Sequence, residues 1–270
     1  MRPEARAHYE EDASERDRLT QGHGVLEFLR TQELLARHLP PPPARILDVG
    51  GAAGIHAFPL AEQGYEVDLI DPVELHVRQA REASAASQAP LRSAKVGDAR
   101  ALAAPDGTFD AVLELGPLYH LTDRGDRLTA LRDALRVLRP GGFLAAAVIS
   151  RVASTADGLR YGLLDEPGFE DIVERDLRDG AHLVPEHRPE LFTTTHFHWP
   201  EEACEEVLEA GFTDVAAFAI EGQAPWITDV PAWLADPARR ERLLAAIRRV
   251  ESVPALLAAS PHLLIVGRAP

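Results

Sequence analysis

Acidic residues and glycines recur in one part of the chain, at positions where they can bind a small ligand. Asp48 is followed closely by Gly50, Gly51 and Gly54. Glycines let a ligand approach the backbone, and the N-terminus of a following helix attracts negative charge. Asp71 stands 23 residues after Asp48, and a carboxylate there can accept hydrogen bonds from both hydroxyls of a ribose. These residues are therefore candidates for the wall of a ligand site.

Two later segments carry further candidates. Asp98, between Gly97 and Ala99, suits a hydrogen bond to an adenine amino group. Tyr119 and His120 follow another apolar segment, and an imidazole that is neutral and basic near pH 7 makes His120 a candidate proton acceptor. Taken singly, each feature is also typical of an ordinary turn or helix cap. Four such features in order, each after a predicted strand, indicate one shared site.

The elements that position these residues alternate between strand and helix patterns. Strands are predicted at 45–49, 66–70, 91–97, 109–115 and 143–149, with helices at 55–63, 73–86 and 128–138 between them. This alternation predicts a parallel sheet with crossover helices, and such sheets bind ligands beyond the carboxyl ends of their strands. Pro59 is expected to kink or shorten its helix.

Two polar segments, 151–199 and 221–260, interrupt the pattern before it resumes with strands at 212–220 and 262–266. Long insertions of this kind are typical of lids and binding elements. The predicted organisation is an N-terminal arm and helix at 1–43, a core at 44–150, a cap insertion at 151–199, and the rest of the core at 200–270, with the second insertion at 221–260.

Composition excludes several classes of protein. Among 270 residues, 43 acidic side chains against 28 basic ones give a formal net charge of −15, which disfavours a general nucleic-acid binder. The single cysteine, Cys204, cannot form an internal disulfide. No apolar run reaches the roughly 18 to 20 residues of a membrane span, and the N-terminus has no apolar signal core. We therefore expect a soluble cytoplasmic protein without membrane or nucleic-acid partners, as a monomer or homodimer.

The ordered motifs resemble those of class I S-adenosylmethionine-dependent methyltransferases, in particular the small-molecule type with a methyltransferase-11-like core. The segment from Asp48 to Gly54 is similar to the family's D-x-G-x-G-x-G loop, with Ala52 in place of the middle glycine. The segment from Leu138 to Phe143 is similar to its LKPGG turn. The resemblance, which covers roughly residues 45–150, implies an α/β fold with S-adenosylmethionine as cofactor. Its Rossmann-like seven-stranded sheet would have the order 3-2-1-4-5-7-6, an antiparallel last strand, helices on both faces and a small cap from the insertions.

The resemblance also implies which residues bind the cofactor. They are the acidic, glycine and neighbouring positions that follow the first four strands: Asp48, Gly50, Gly51, Gly54, Asp71, Pro72, Asp98, Ala99, Leu115 and Gly116. Arg30, in the helix before the loop, is a further candidate because an arginine can hold the cofactor carboxylate.

The acceptor side is expected to receive a small molecule that is methylated on oxygen, nitrogen or carbon by in-line transfer. The candidate catalytic residues are His120 first, then His198, with Tyr119 beside the former. The candidate acceptor contacts are Tyr9, Arg16, His196 and Trp226. In an extended segment His196 and His198 would face one side, but the sequence identifies no third ligand, so no metal is expected.

Two alternatives fail on the motifs and one stays open. A nicotinamide-binding fingerprint starting at Gly50 would need glycines where Ala52 and Ile55 stand. The chain also lacks the (D/N/S)-P-P-(Y/F/W) pattern of adenine-N6 methyltransferases, having Leu115 to Leu118 there. A non-catalytic protein that binds S-adenosylmethionine would carry the same cofactor motifs.

Overall fold

A seven-stranded sheet forms the centre of the computed structural model, which describes residues 19–184, 193–227 and 229–270. Its strands are β1 Arg45–Val49, β2 Glu66–Asp71, β3 Ser93–Val96, β4 Phe109–Glu114, β5 Leu138–Ile149, β8 Thr213–Ala219 and β9 His262–Arg268. Their order is β3-β2-β1-β4-β5-β9-β8, with β9 antiparallel to both neighbours and the other pairs parallel. The predicted strand order and the antiparallel last strand are confirmed.

Helices cover both faces of the sheet, which explains why its central strands are apolar on both sides. In β1, Leu47 joins the core on one face and Ile46 joins the core on the other. The helices of the first core are α5 Arg124–Val137 and α8 Pro200–Glu209. Those of the second core are α1 Gly24–His38, α2 Ala57–Glu62 and α3 Glu74–Ala86. A one-turn helix, α4 Pro117–His120, follows β4 directly.

The helix after the glycine loop corrects one expectation. It begins at Ala57, two residues later than predicted, so Pro59 falls in its first turn. The backbone nitrogens of a first turn have no partner within the helix, so a proline is tolerated there. Pro59 therefore lies at the start of a short helix and does not kink a longer one.

Two insertions add smaller elements at the carboxyl edge of the sheet. The first forms α6 Ala153–Tyr161, a 3₁₀ turn Leu163–Asp165, α7 Phe169–Asp179 and the two-stranded pair β6 Ala181–His182 and β7 Thr195–His196. The second forms α9 Ala224–Ile227, α10 Val230–Ala235, α11 Pro237–Val250 and α12 Pro254–Leu257. Helix α6 packs against α9, so the two insertions contact each other. None of the helices within the described ranges is long and apolar enough to cross a membrane.

A buried polar group holds the first insertion together. The Ser154 hydroxyl donates to Asp176 Oδ2 at 2.5 Å, and His182 Nδ1 lies 2.9 Å from the same oxygen. Although these are the residue types of a catalytic triad, the histidine and serine share one carboxylate oxygen and do not form the relay a triad needs. The group joins α6, α7 and β6.

Candidate active site

The glycine loop after β1 is packed too closely for larger residues. At Gly50, whose φ is +70°, a Cβ would lie 2.8 Å from Pro117 Cγ. At Gly51, a Cβ would lie 2.6 Å from Asp48 Oδ2. Ala52, which replaces the family's middle glycine, is held at φ +48°, a conformation that alanine rarely adopts.

Asp71, at the end of β2, fixes the shape of this loop. Its Oδ2 accepts a hydrogen bond from the Ala52 amide at 2.9 Å. Its Oδ1 accepts from the Val73 amide at 2.8 Å and lies 3.1 Å from His76 Nδ1. A carboxylate has about four acceptor sites, so these three contacts leave one for a hydroxyl of a ribose.

The first pocket, a cavity of about 100 Å³, lies at the carboxyl ends of β1 to β4. Its walls include Asp71, Pro72, His76, Asp98, Ala99, Tyr119 and His120. Asp98 is clamped by Arg100, whose Nε lies 2.9 Å from Oδ1 and whose Nη2 lies 2.7 Å from Oδ2. These hydrogen bonds lower the pKa of Asp98 to about 2, so its carboxylate is an ionised acceptor at neutral pH.

The second pocket, a larger cavity of about 530 Å³, adjoins the first. The two share Gly50, Ala52, Gly116 and Tyr119. Predicted residues that line only the second pocket are Asp48, Gly51, Gly54 and Leu115. Glu27 and Phe28, from α1, form part of its far wall. Ten of the eleven predicted cofactor residues thus line one pocket or both, and their contacts to a cofactor stay a prediction.

Two buried carboxyl groups lie at the strand ends beneath the pockets. Burial, with a smaller contribution from Asp71, raises the pKa of Asp48 to about 7. Burial, with a smaller contribution from Asp133, raises the pKa of Glu114 to about 8, and neither Glu114 oxygen has a hydrogen-bond partner within the described residues. At neutral pH Glu114 is therefore largely protonated and adds little negative charge beneath the site.

The structure places His120 on the smaller pocket. Its ring lines the first pocket, as does Tyr119, and the two ring centroids are 4.7 Å apart. Tyr119 also lines the second pocket, whereas His120 does not. The position of His120 favours contact with a ligand in the first pocket over proton transfer in the second.

The expectation that Arg30 holds the cofactor carboxylate is wrong. Its guanidinium is fully buried and donates to the Ile220 carbonyl at 3.1 Å, to Glu33 at 2.6 Å and to Glu251. Arg30 lines neither of the two pockets. With its Nε and both Nη atoms committed in this way, Arg30 attaches α1 to the end of β8 and cannot hold a cofactor carboxylate.

The two histidines of the 192–199 segment line neither pocket, although β7 packs against α4. His198 is fully buried, its Nε2 lies 3.5 Å from Glu206 Oε2, and burial lowers its pKa. His196 packs edge-on against it at 4.5 Å, and burial lowers its pKa to about 3. His198 is therefore not placed to act as a base on a bound acceptor, and His196 is not placed to contact one.

The remaining acceptor candidates are not brought to the pockets. The Trp226 indole donates to the Ala259 carbonyl at 2.7 Å, and Trp226 lines neither pocket. Tyr9 and Arg16 lie outside the described residues.

Sequence reasoning missed a polar cluster beside the second pocket. Glu27, Glu221 and His262 each place a ligand-type atom within 4.8 Å of the others. Glu221 follows β8 and His262 begins β9, so both lie at the carboxyl edge of the sheet. The predicted strand order already made these two residues neighbours, but Glu27 gave no signal beyond its place one helical turn before Arg30.

Comparison with known proteins identifies the central segment. Residues 46–142 match the family model described as a methyltransferase domain. The chain is 36% identical over 163 residues to the malonyl-[acyl-carrier protein] O-methyltransferase of Methylococcus capsulatus, covering 54% of this chain and 55% of that protein. It is 28% identical over 170 residues to an S-adenosyl-L-methionine-dependent Diels-Alderase of Talaromyces variabilis, covering 52% and 57%. The chain spans about half the length of the curated relatives it matches.

A solved structure shows that the similarity in fold extends further. An S-adenosylmethionine-dependent methyltransferase from Mesorhizobium loti superposes with a TM-score of 0.60 at 20% identity. The match covers 90% of this chain and 99% of that chain, so the similarity in fold extends beyond residues 46–142.

Proposed function

Residues 46–142 form a class I S-adenosylmethionine-dependent methyltransferase domain, and on that premise we propose that this chain transfers a methyl group to a small molecule. S-adenosylmethionine is the cofactor of the domain. The observation that carries the proposal is the junction of the two pockets at Gly50 and Gly116, which leaves room for a second molecule beside a cofactor.

The residues at the first pocket fit the nucleoside part of that cofactor. Asp71 offers one acceptor for a ribose hydroxyl, and ionised Asp98 offers one for an amino group. A side chain at Gly50 or Gly51 would clash with Pro117 or Asp48, so the loop backbone packs closely against its neighbours. We propose that Tyr119 and His120 shape the nucleoside site, since both line the first pocket.

The second pocket supports the acceptor side of the proposal. The bound cofactor supplies an electrophilic methyl group on a sulfonium. The chain's own contribution is to hold the acceptor in line with that group and to exclude water. Tyr119 and Leu115 on one side and Glu27 and Phe28 on the other are the residues we assign to this task.

The acceptor we propose is a small molecule, because the chain's charge of −15 repels nucleic-acid phosphates and the second pocket encloses about 530 Å³. A transfer assay with acceptors of different classes determines whether the methylated atom is oxygen, nitrogen or carbon.

Calorimetry and a transfer assay test the proposal in two steps. Titration with S-adenosylhomocysteine should give saturable binding to the folded protein. Incubation with methyl-tritiated S-adenosylmethionine and four probes, catechol, benzylamine, octanoic acid and indole, should move label to at least one class of acceptor. Absence of binding by the folded protein would overturn the cofactor assignment.

The same assay separates methyl transfer from the alternative of a non-catalytic or regulatory protein. Binding of S-adenosylmethionine that stays intact with every probe would favour that alternative. The similarity to a relative named for a Diels-Alder reaction makes the distinction worth measuring directly.

A further inference from the structure

The wall of the second pocket combines carboxyl groups with a lack of arginine and lysine. Glu27, Asp48 and Glu62 line this pocket, whereas none of the arginines in the described ranges does, and neither does Lys95. Among the described lining residues, the one side chain that a proton could make positive is His56, which is buried. This part of the wall therefore suits a ligand that brings positive charge.

A buried acceptor on the same wall needs a donor from outside the described residues. Asp48 is 1% exposed, and its Oδ2 has no hydrogen-bond partner in the described part of the chain. A buried acceptor of this kind is costly unless a ligand supplies the donor. Burial raises the pKa of Asp48 to about 7, and a positive charge nearby would favour its ionised form. Asp48 and the sign of the wall thus indicate the same kind of ligand.

Helix α2 presents an aromatic ring and a carboxylate to the second pocket. Phe58 and Glu62 both line it, and positions four apart lie on one face of a helix. The Phe58 ring packs closely against the glycine loop, since a Cβ at Gly54 would lie 2.7 Å from Phe58 Cε2. A positive nitrogen is attracted by the face of such a ring and by a carboxylate beside it.

The carboxylates of Glu62 and Glu27 differ in their surroundings. Glu62 is exposed and forms no ion pair with any residue in the described ranges. Glu27 is engaged in the cluster with Glu221 and His262, where its Oε2 lies 3.8 Å from His262 Nδ1. We therefore expect Glu62, on α2, to decide the charge of the ligand.

We propose that the second pocket selects an acceptor that carries a positively charged amine, and that Glu62 and Phe58 bind this amine. The inference rests on the proposed methyl transfer and adds the class of acceptor. Glu62 lines the second pocket alone, whereas Gly50 and Gly116 line both pockets. A protonated amine has no lone pair to attack the methyl group, so the amine serves to hold the molecule. The methyl group goes to a second atom of the same acceptor.

Three catechols that differ at the end of one side chain test the role of charge. Dopamine ends in an ammonium group, 4-propylcatechol in a methyl group and 3,4-dihydroxyphenylpropionate in a carboxylate. Calorimetry is done on protein saturated with S-adenosylhomocysteine, so that the ammonium group of the cofactor product already occupies its own site. Dopamine should bind about tenfold more tightly than 4-propylcatechol, and the propionate should bind most weakly.

Two variants of α2 test the assigned residues. Glu62→Arg should reverse the order, so that the propionate binds more tightly than dopamine, because the charge at the pocket changes sign. Phe58→Leu should weaken dopamine binding by about threefold and leave the Kd of 4-propylcatechol within about twofold, since leucine keeps an apolar surface but has no ring.

Glu66→Arg is the matched control for Glu62→Arg. It changes the net charge by the same amount, and Glu66 is exposed at the start of β2 and lines neither pocket. The preference for dopamine should persist in this variant. An equal loss of preference in both variants would show that the overall charge of −15 attracts the cation, and it would overturn the inference.

Other outcomes would also overturn the inference. They are a wild type that binds dopamine no more tightly than 4-propylcatechol, or transfer of label to the nitrogen of dopamine. Dopamine binding that disappears on saturation with S-adenosylhomocysteine would assign the carboxylates to the cofactor instead. Failure of S-adenosylhomocysteine itself to bind would overturn the proposed function, whereas its binding without a preference for the cation overturns this inference alone.

Discussion

The cofactor side and the acceptor side of this molecule are built in different ways. The cofactor side, at the carboxyl ends of β1 to β4, takes its shape from a packed glycine loop and from carboxylates such as Asp71 that bond nearby amides. The proposed acceptor side lies where α1 meets the ends of β8 and β9, and it contains the cluster of Glu27, Glu221 and His262, which are far apart in the chain. One side can be recognised in a short stretch of sequence, and the other only once the topology is known.

The difference has a physical cause. A loop that cradles a ligand through its backbone needs glycines at adjacent positions, so its signal is local. An imidazole oriented by a carboxylate needs only two side chains that meet in space, and sheet order can bring these from any distance. Four substitutions test this difference between the two sides.

Arg30→Met tests whether the acceptor side depends on a distant ion pair. The change removes two hydrogen bonds to carboxylates, which keep only the partly exposed Arg248 and Arg37. It also removes the donor to Ile220, so the free energy of unfolding should fall by about 3–5 kcal/mol. Chemical denaturation measures this. The exposed pair Arg92 and Glu66 gives the control, since Arg92→Met should cost about 1 kcal/mol or less. A stable Arg30→Met protein that had lost its affinity for S-adenosylhomocysteine would contradict the assignment.

Glu114→Gln tests the raised pKa of the buried carboxyl group at the end of β4, between the cofactor side and the acceptor side. Burial raises the folded pKa of Glu114 to about 8, so the folded protein keeps its proton after the unfolded chain has released it. Stability is therefore lost as pH rises from the unfolded pKa toward the folded one, by roughly 3 kcal/mol between pH 5 and pH 8. Denaturation across that range should show a flatter pH dependence in the variant and a gain at pH 8. Equal slopes in the two proteins would mean that Glu114 ionises normally in the fold.

Asp71→Asn tests the cofactor side. The substitution removes the negative charge of a carboxylate that accepts hydrogen bonds from the Ala52 and Val73 amides and that we propose to contact the ribose. Hydrogen bonds to charged groups contribute about 1.5–3 kcal/mol, so the Kd of S-adenosylhomocysteine should rise roughly 10- to 100-fold. Asp68→Asn, three residues earlier in β2, is the matched control because Asp68 bonds Arg45 and Ser93 away from both pockets. Equal losses in both variants would point to a general effect on β2.

Ala52→Gly tests the backbone conformation of the glycine loop, and its expected effect on stability is small. A left-handed conformation costs an alanine roughly 1–2 kcal/mol, while the freedom of glycine in the unfolded chain costs roughly 0.5–1 kcal/mol. The variant should therefore be more stable by about 0.5 kcal/mol in denaturation measurements. Ala53→Gly should be less stable, since Ala53 lies outside the left-handed region.

The fold was largely predictable from the sequence, and so was the cofactor side of the site. Strand-ending residues such as Asp71 and Asp98 were found because each follows a predicted strand within a regular alternation. Arg30 was misassigned because its partner Glu251 lies 221 residues away, and a helix pattern cannot tell an anchored arginine from a ligand contact. His198 was misassigned because only the structure shows that Glu206 and full burial enclose it. His262 begins a strand that reads as plain core, so its pairing with Glu221 had no local signature.

The attachment of α1 through Arg30 also bears on how the chain folds as it is made. Arg30 leaves the ribosome 190 residues before Ile220 and 221 residues before Glu251, so α1 must wait for both. The strands from β1 to β5 emerge meanwhile and can form their parallel pairs with Leu34 and Leu35 of α1 as apolar cover. The nascent chain can thus pair Arg30 only with Glu33 until residue 251 appears, and the attachment of α1 to the end of β8 is completed only at that late stage of synthesis.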